Sequence, residues 1–264
     1  MKVLIASPWG ERLGGSENVL WTLLRHIDRE RIDPIVMLLA EGPFGEEIAD
    51  AGFRTVIHPT HRLRKGGRWI RTTRAVRELI VRERPDVLVG WGPKPQLYLS
   101  PAASSTGLLA RLVWMVHELP AHVVHRAAIG LPAAGIVCPS QFVAAAVGRL
   151  RPHRRTVVIH PGIETAPPAS QAETMRLRRE LALPEGRTIL GMVARLAPIK
   201  GQHRLLEALA DVRGRGHDCH ALLVGGNAHD LAPGYERHLR ALCARLRIED
   251  AVTFAGQVAD AGPY

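Results

Sequence analysis

Two cations stand where an apolar run gives way to a helix. In MVARLAPIKGQHRLLEALA (192–210) a strand-like run stops at Arg195, a proline-containing loop carries Lys200 and Gly201, and an amphipathic pattern begins at once. The start of a helix leaves N–H groups unpaired and carries partial positive charge, so it already favours an anion. A guanidinium clamps two phosphate oxygens at once and an ammonium adds a point charge; together they suit a diphosphate. The segment is not a Walker A loop, because Gly-x-x-x-x-Gly-Lys-Ser/Thr is absent. The plain alternative is a pair of surface cations engaged in salt bridges. No Asp-x-Asp occurs in the chain, so the carboxylate pair that would hold a metal-bound diphosphate is missing. Cations and helix ends must then meet the charge.

Three further segments have chemistry-bearing types. In SPWGERLGGSENVL (7–20), between an apolar run and a helical pattern, Gly14 and Gly15 remove side chains so that backbone N–H groups approach an anion, and Ser16 is placed to cap the helix. The fingerprint Gly-x-Gly-x-x-Gly is absent, which argues against a nicotinamide cofactor. His117 and Glu118 end the apolar run LVWMV, where an imidazole hydrogen-bonds a hydroxyl or moves a proton; most of a chain's histidines do neither. Arg68, Arg71, Arg74 and Arg77 recur every third residue beside Trp69, Val76, Leu79 and Ile80. That pattern fits a basic amphipathic helix for an anionic membrane surface, or equally a solvated face over a core. Aromatic residues are not interleaved with the arginines, which speaks against nucleic acid.

The elements that must position these residues alternate. KVLIAS (2–7), DPIVMLLA (33–40), RTVIH (54–58), DVLVGW (86–91), RLVWMVHE (111–118), AAGIVCPS (133–140) and HRRTVVIHPGIE (153–164) read as strands, with helical patterns between the early ones. Alternation of this kind predicts βαβ units and a parallel, doubly wound sheet of six or seven strands over 1–163. TAPPASQ interrupts the periodicity and marks a linker over 164–171. Over 172–264 a second series offers three strands, RTILGMVARL, CHALLVGG and AVTFAGQV, with helices near 201–215 and 234–247. Three strands leave edges and one face uncovered, so this domain reads as incomplete.

Composition agrees with a folded chain: 264 residues, 46% hydrophobic and 23% charged. The net charge of +10 favours a polyanionic partner, and nine Arg or Lys against two Glu between Arg62 and Arg84 concentrate it in one segment. No apolar run reaches the roughly 18 residues of a membrane span, and a cytoplasmic protein, peripheral at the inner face of the membrane, is expected. The three cysteines, Cys138, Cys219 and Cys243, form no Cys-x-x-Cys pair and read as buried small hydrophobes.

Taken together, GGSE (14–17), WMVHE (114–118), CPSQFVAAAV (138–147), VVIHPGIE (157–164), ARLAPIKGQHRLLEALA (194–210), ALLVGG (221–226) and VTFAGQV (252–258) resemble the retaining glycosyltransferases of family 4. The resemblance spans nearly the whole chain, and Ala-Arg-Leu-x-x-x-Lys-Gly followed by Leu-Leu-x-Ala is its most specific piece. It implies the GT-B fold: two Rossmann-like doubly wound domains facing a cleft, the first binding an acceptor and the second, incomplete here, a nucleotide-sugar. By this resemblance Gly14 and Gly15 approach the donor phosphate and sugar, and His117 faces the transferred sugar. Arg195 and Lys200 hold the diphosphate leaving group, Gly225 belongs to the donor set, and Val258 sits near the nucleobase. Arg68, Arg71 and Arg74 mark an acceptor or membrane face. Transfer with retention in this family needs no metal, cofactor or enzyme nucleophile.

Two departures stand out. Ala194 replaces a common Gly, and the chain stops before the family's Glu-x(7)-Glu segment, whose carboxylates contact donor sugar and ribose, and before the closing strands and returning C-terminal helix. The expectation is a transferase moving a sugar from a nucleotide-diphosphate donor to a glycan or lipid-linked acceptor, with weakened turnover. The alternatives are a noncatalytic glycan- or anionic-lipid-binding module with a vestigial donor domain, and a sugar-nucleotide epimerase of the same architecture.

Overall fold

A computed structural model describes residues 1–264 except 13, 61–65, 122, 152–154, 166–167, 228–231 and 259. The chain divides into two compact units, Met1–Ile163 and Glu164–Tyr264. In the first, strand and helix alternate: β1 (Lys2–Ser7), α1 (Gly15–His26), β2 (Asp33–Leu38), α2 (Pro43–Asp50), β3 (Arg54–Ile57), α3 (Gly66–Glu83), β4 (Val87–Trp91), α4 (Pro93–Thr106), β5 (Leu112–Met115), α5 (Val123–Gly130), β6 (Gly135–Cys138), α6 (Gln141–Leu150) and β7 (Thr156–Val158). The seven strands form one parallel sheet in the order β3-β2-β1-β4-β5-β6-β7. The chain thus winds outward from β1 to β3, returns through α3, and continues from β4 the other way. The reversal puts the carboxyl ends of β1 and β4 side by side, the position at which doubly wound sheets bind ligands.

Alternation along the strands assigns the two faces. Val3 and Ile5 pack with Leu20 and Leu24 of α1 and with Phe44 and Ile48 of α2, whereas Leu4 and Ala6 pack with α3 and α4 on the other side. The sequence pattern fails at α4. PKPQLYLSPAASST contains three prolines and has no apolar stripe, yet it is a helix. Pro93 occupies the first turn, where its missing N–H costs nothing. Seven of its residues, among them Gln96, Tyr98 and Ser100, are buried between neighbours, and a helix enclosed on several sides has no reason to be amphipathic. Gln96 and Ser100 donate to the Pro132 carbonyl oxygen at 3.2 and 2.8 Å, which pairs two of the polar groups so enclosed. At α1 the expected cap is corrected: the helix begins at Gly15 with Gly14 as N-cap, so Ser16 already lies inside it.

The second unit opens with α7 (Gln171–Glu180) and continues β8 (Thr188–Val193), α8 (Gln202–Gly214), β9 (Cys219–Val224), α9 (Tyr235–Leu246) and β10 (Val252–Gly256). Ser170 caps α7 in a closed capping box with Glu173. The three strands are parallel in the order β10-β9-β8. Only the central strand is buried along its whole length; β8 and β10 are half-exposed. The helices α8 and α9 cover one face through Leu206, Leu209, Leu239 and Leu242, and Leu183 lies with Leu222 and Val224 on the other. The three cysteines are free and buried, and no helix among the described residues is long and apolar enough to cross a membrane.

Candidate active site

In the second unit the strands deliver three loops to one edge. After β8 come Arg195 and, at the end of a short 3-10 turn (Pro198–Lys200), Lys200. Gly201 then takes a left-handed conformation (φ +81°), ending the turn and starting α8 in a single residue. The Gln202 side chain is buried and donates Nε2–H to the Arg195 carbonyl oxygen at 2.9 Å, tying the loop to the helix it precedes. Neither Arg195 nor Lys200 forms a salt bridge among the described residues. Both stand before the N-terminus of a 13-residue helix, which adds its own partial positive charge.

Gly225 follows β9 and Val258 lies two residues beyond β10. The Gly225 N–H donates to the Gly256 carbonyl oxygen and the Leu196 N–H to the Gly226 carbonyl oxygen, each at 2.8 Å. These bonds knit the three loops together. Gly225 has φ +134°, and a side chain there would overlap the Ala194 carbonyl. Close approach of two backbones is therefore enough to require glycine at this position.

In the first unit His117 follows β5, with its ring 4.7 Å from that of Trp91, the last residue of β4. The Trp91 Nε1–H donates to the Ser16 carbonyl oxygen at 3.0 Å, and this bond ties β4 to the first turn of α1. Gly14, Gly15, Trp91 and His117 thus belong to one contiguous stretch of the sheet's carboxyl edge. His117 and Trp91 also line an apolar pocket of about 410 Å³ with Leu23, Met115, Cys138 and Ile159. Burial holds the imidazole neutral, lowering its pKa from 6.5 to about 4 against the weaker opposing pull of Glu118. Its Nε2 is buried with no hydrogen-bond partner. A neutral imidazole of this kind is a hydrogen-bonding group for a ligand hydroxyl and not a stored proton.

Arg68, Arg71, Arg74 and Arg77 are exposed on α3, whose opposite face buries Thr72, Val76, Leu79, Ile80 and Glu83. Steps of three residues turn a helix through about 300°, so the arginines fan across the exposed half instead of forming a narrow stripe. Ile70 and Val81 lie exposed among them. None of the four has a carboxylate partner among the described residues. The basic positions 62, 64 and 65 lie outside the described residues.

Two residues at the first unit's edge escaped notice in the sequence. Lys94 sits at the start of α4, half-buried, with a pKa lowered by burial; a cation at a helix N-terminus opposes the dipole, and GPKP directly after the apolar run DVLVGW was the available signal. Glu17 lies in the first turn of α1 and is buried, three residues after Gly14, the spacing of a capping box.

Residues 13–167 match the model of Glycosyltransferase Family 4, and residues 173–262 match that of Glycosyl transferases group 1. The chain belongs to glycosyltransferase family 4 and is a transferase of sugar from a nucleotide-sugar donor. It is 26% identical over 278 residues to a GDP-mannose-dependent alpha-(1-6)-phosphatidylinositol monomannoside mannosyltransferase of Mycobacterium tuberculosis, covering 97% of this chain and 67% of the relative. A D-inositol 3-phosphate glycosyltransferase of Acidothermus cellulolyticus is 36% identical over 105 residues, 38% of this chain and 23% of that protein. Anabaena HepE, solved with UDP and glucose, superposes with a TM-score of 0.77 at 23% identity over 98% of this chain and 70% of its own. The fold is of the GT-B type, the second unit being the smaller.

The buried neutral imidazole carries a pH signature. Between pH 6.5 and about 4 the unfolded chain takes up a proton that the folded one refuses, so stability falls as pH falls through that window, by about 3 kcal/mol on this group's account. All five tryptophans lie in the first unit and report its urea unfolding by fluorescence. His117→Gln should lose about 3 kcal/mol less than the parent between those pH values; equal losses would show that His117 is not held neutral.

Proposed function

We propose that the chain transfers a sugar with retention of configuration from a nucleotide-diphosphate donor to a glycan or lipid-linked acceptor, the second unit holding the donor and the first the acceptor. The observation that carries the donor assignment is the pair of cations, Arg195 and Lys200, before α8, neither with a salt-bridge partner among the described residues. In this reading Arg195 takes two phosphate oxygens, Lys200 adds charge, and the first N–H groups of α8 complete the anion site. Negative charge grows on the diphosphate as the glycosidic bond breaks, so fixed donors there stabilise the transition state more than the ground state. No metal or cofactor is needed for that step, because the protein's own cations supply the compensating charge. Gly225 leaves the loop after β9 without a side chain, and Val258 offers an apolar contact to the base. The Gly14–Gly15 turn belongs with the donor set, and His117, neutral, hydrogen-bonds a hydroxyl.

The acceptor side is read from charge. Arg68, Arg71 and Arg74, exposed beside Ile70, suit peripheral contact with an anionic membrane, the arginines drawing in headgroups while the isoleucine inserts. Lys94, at the start of α4, is a further cation for an acceptor anion.

Two measurements test these assignments. Calorimetric titration with UDP and with GDP should show binding of one or both, and Arg195→Ala with Lys200→Ala should weaken it at least a hundredfold, since each charge-assisted bond contributes about 1.5–3 kcal/mol. Unchanged affinity in the double variant would remove the diphosphate from this site, and hexose or anionic-lipid binding that ignores nucleotide would favour a noncatalytic module. Replacing Arg68, Arg71 and Arg74 together by Gln should lower co-sedimentation with phosphatidylglycerol vesicles by about 1 kcal/mol per arginine. Binding that is equal in parent and variant, or absent in the parent, would contradict the membrane assignment.

A further inference from the structure

We propose that His125 is a positioning residue for His117: it takes the Glu118 carboxylate on one side of the first unit's sheet and so leaves the His117 imidazole to its pocket on the other. The inference rests on the reading of His117 as a hydrogen-bonding group for a ligand hydroxyl, and names what keeps it one. Alternation along the chain supplies the geometry. Trp114 and Val116 cluster with Ala128 and Ile129 of α5, whereas Met115 and His117 line the apolar pocket with Leu23 of α1. The Val116 N–H donates to the Val137 carbonyl oxygen at 2.8 Å, so the backbone keeps its pairing past the last residue of β5. Glu118 comes next in the alternation and returns to the α5 side. There the His125 Nε2 stands 3.2 Å from the Glu118 Oε1.

Packing explains the position of His125 but not its type. The buried stripe of α5 is His125, Ala128 and Ile129, the spacing of an apolar face, and its first member is an imidazole. The partner, Glu118, is exposed, and a solvated carboxylate gains at most about 1 kcal/mol from such a pair. Stability alone therefore gives little reason for the contact; what it fixes is direction. Glu118 adjoins His117 in sequence, and its charge already pulls that imidazole toward the protonated form, a pull that burial overcomes. Brought into contact with His117, the carboxylate would reverse the balance and stabilise the imidazolium. It would also compete for the ring nitrogen, Nε2, that the fold leaves buried and unpartnered.

The other titratable groups of the pocket do not replace Glu118. His26 of α1 has its Nδ1 2.9 Å from the Thr22 carbonyl oxygen, and His160 beyond β7 has its Nδ1 3.0 Å from the Pro139 carbonyl oxygen. Cys138 is a buried thiol whose pKa burial raises. Among the described residues that line the pocket none is a carboxylate. Glu118 is thus the nearby anion that can change the charge of His117, and His125 determines on which side Glu118 lies.

The test follows the imidazole signals of the whole 15N-labelled chain through a pH titration, the His117 ring being assigned by its loss in His117→Gln. His125→Phe fills the same space without an N–H, and it should raise the proton affinity of His117 about tenfold. Adding Glu118→Gln to that variant should restore the parent's midpoint, and His125→Gln, which keeps an N–H for the carboxylate, should stay close to it. A merely structural role, in which the loss of His125 loosens α5 and admits water, would move the midpoint whether or not Glu118 is present. An unchanged midpoint in a folded His125→Phe, or a shift that survives Glu118→Gln, would therefore overturn the proposal. Should His125→Phe not fold, Glu118→Gln alone decides: it should move the ring signals of His125 more than those of His117, and the reverse order would overturn the proposal. A parent midpoint near the ordinary 6.5 instead of about 4 would defeat the reading of His117 as a neutral group, while the difference between variants still reports on His125. A midpoint near 4 that ignores His125 defeats this inference alone.

Discussion

In a parallel sheet every strand delivers its carboxyl end to the same edge, and the rest of this molecule's chemistry depends on that directional constraint. It gathers Arg195, Lys200, Gly225 and Val258, which span more than sixty residues of sequence, onto three adjacent loops of the second unit. In the first unit it brings the glycine turn, Trp91 and His117 together at the reversal between β1 and β4. The helices follow from the same constraint. Each parallel strand needs a crossover, and the crossover helix starts at the edge where its strand ended. Its N-terminus, with unpaired N–H groups, therefore points at the place where ligands bind.

What differs between the edges is charge. The second unit's edge has two cations in front of a helix start, a combination that favours an anion. The first unit's edge is mixed, with a neutral imidazole, a buried glutamate and the half-buried Lys94.

The fold class was legible in the sequence because buried parallel strands read as apolar runs and their crossovers as amphipathic helices, as in DPIVMLLA and GRWIRTTRAVRELIVRER. The helix α4 was not legible: enclosed on several sides and punctuated by Pro93, Pro95 and Pro101, it shows neither period. Ser16 was expected to cap α1 because its type favours that position, but the helix starts two residues earlier, with Gly14 as its cap. The glycines of GGSE and the cations of ARLAPIKG announce themselves by type and spacing. Glu17 and Lys94 do not, because what marks them is burial, a property that exists only once the chain has folded.

The most direct measurement is a crystal structure of the chain with UDP or GDP bound. The account predicts the diphosphate within hydrogen-bond distance of the Arg195 guanidinium and the Lys200 ammonium, in front of α8, with the base beside Val258. A diphosphate bound without contact to Arg195 and Lys200 would contradict it.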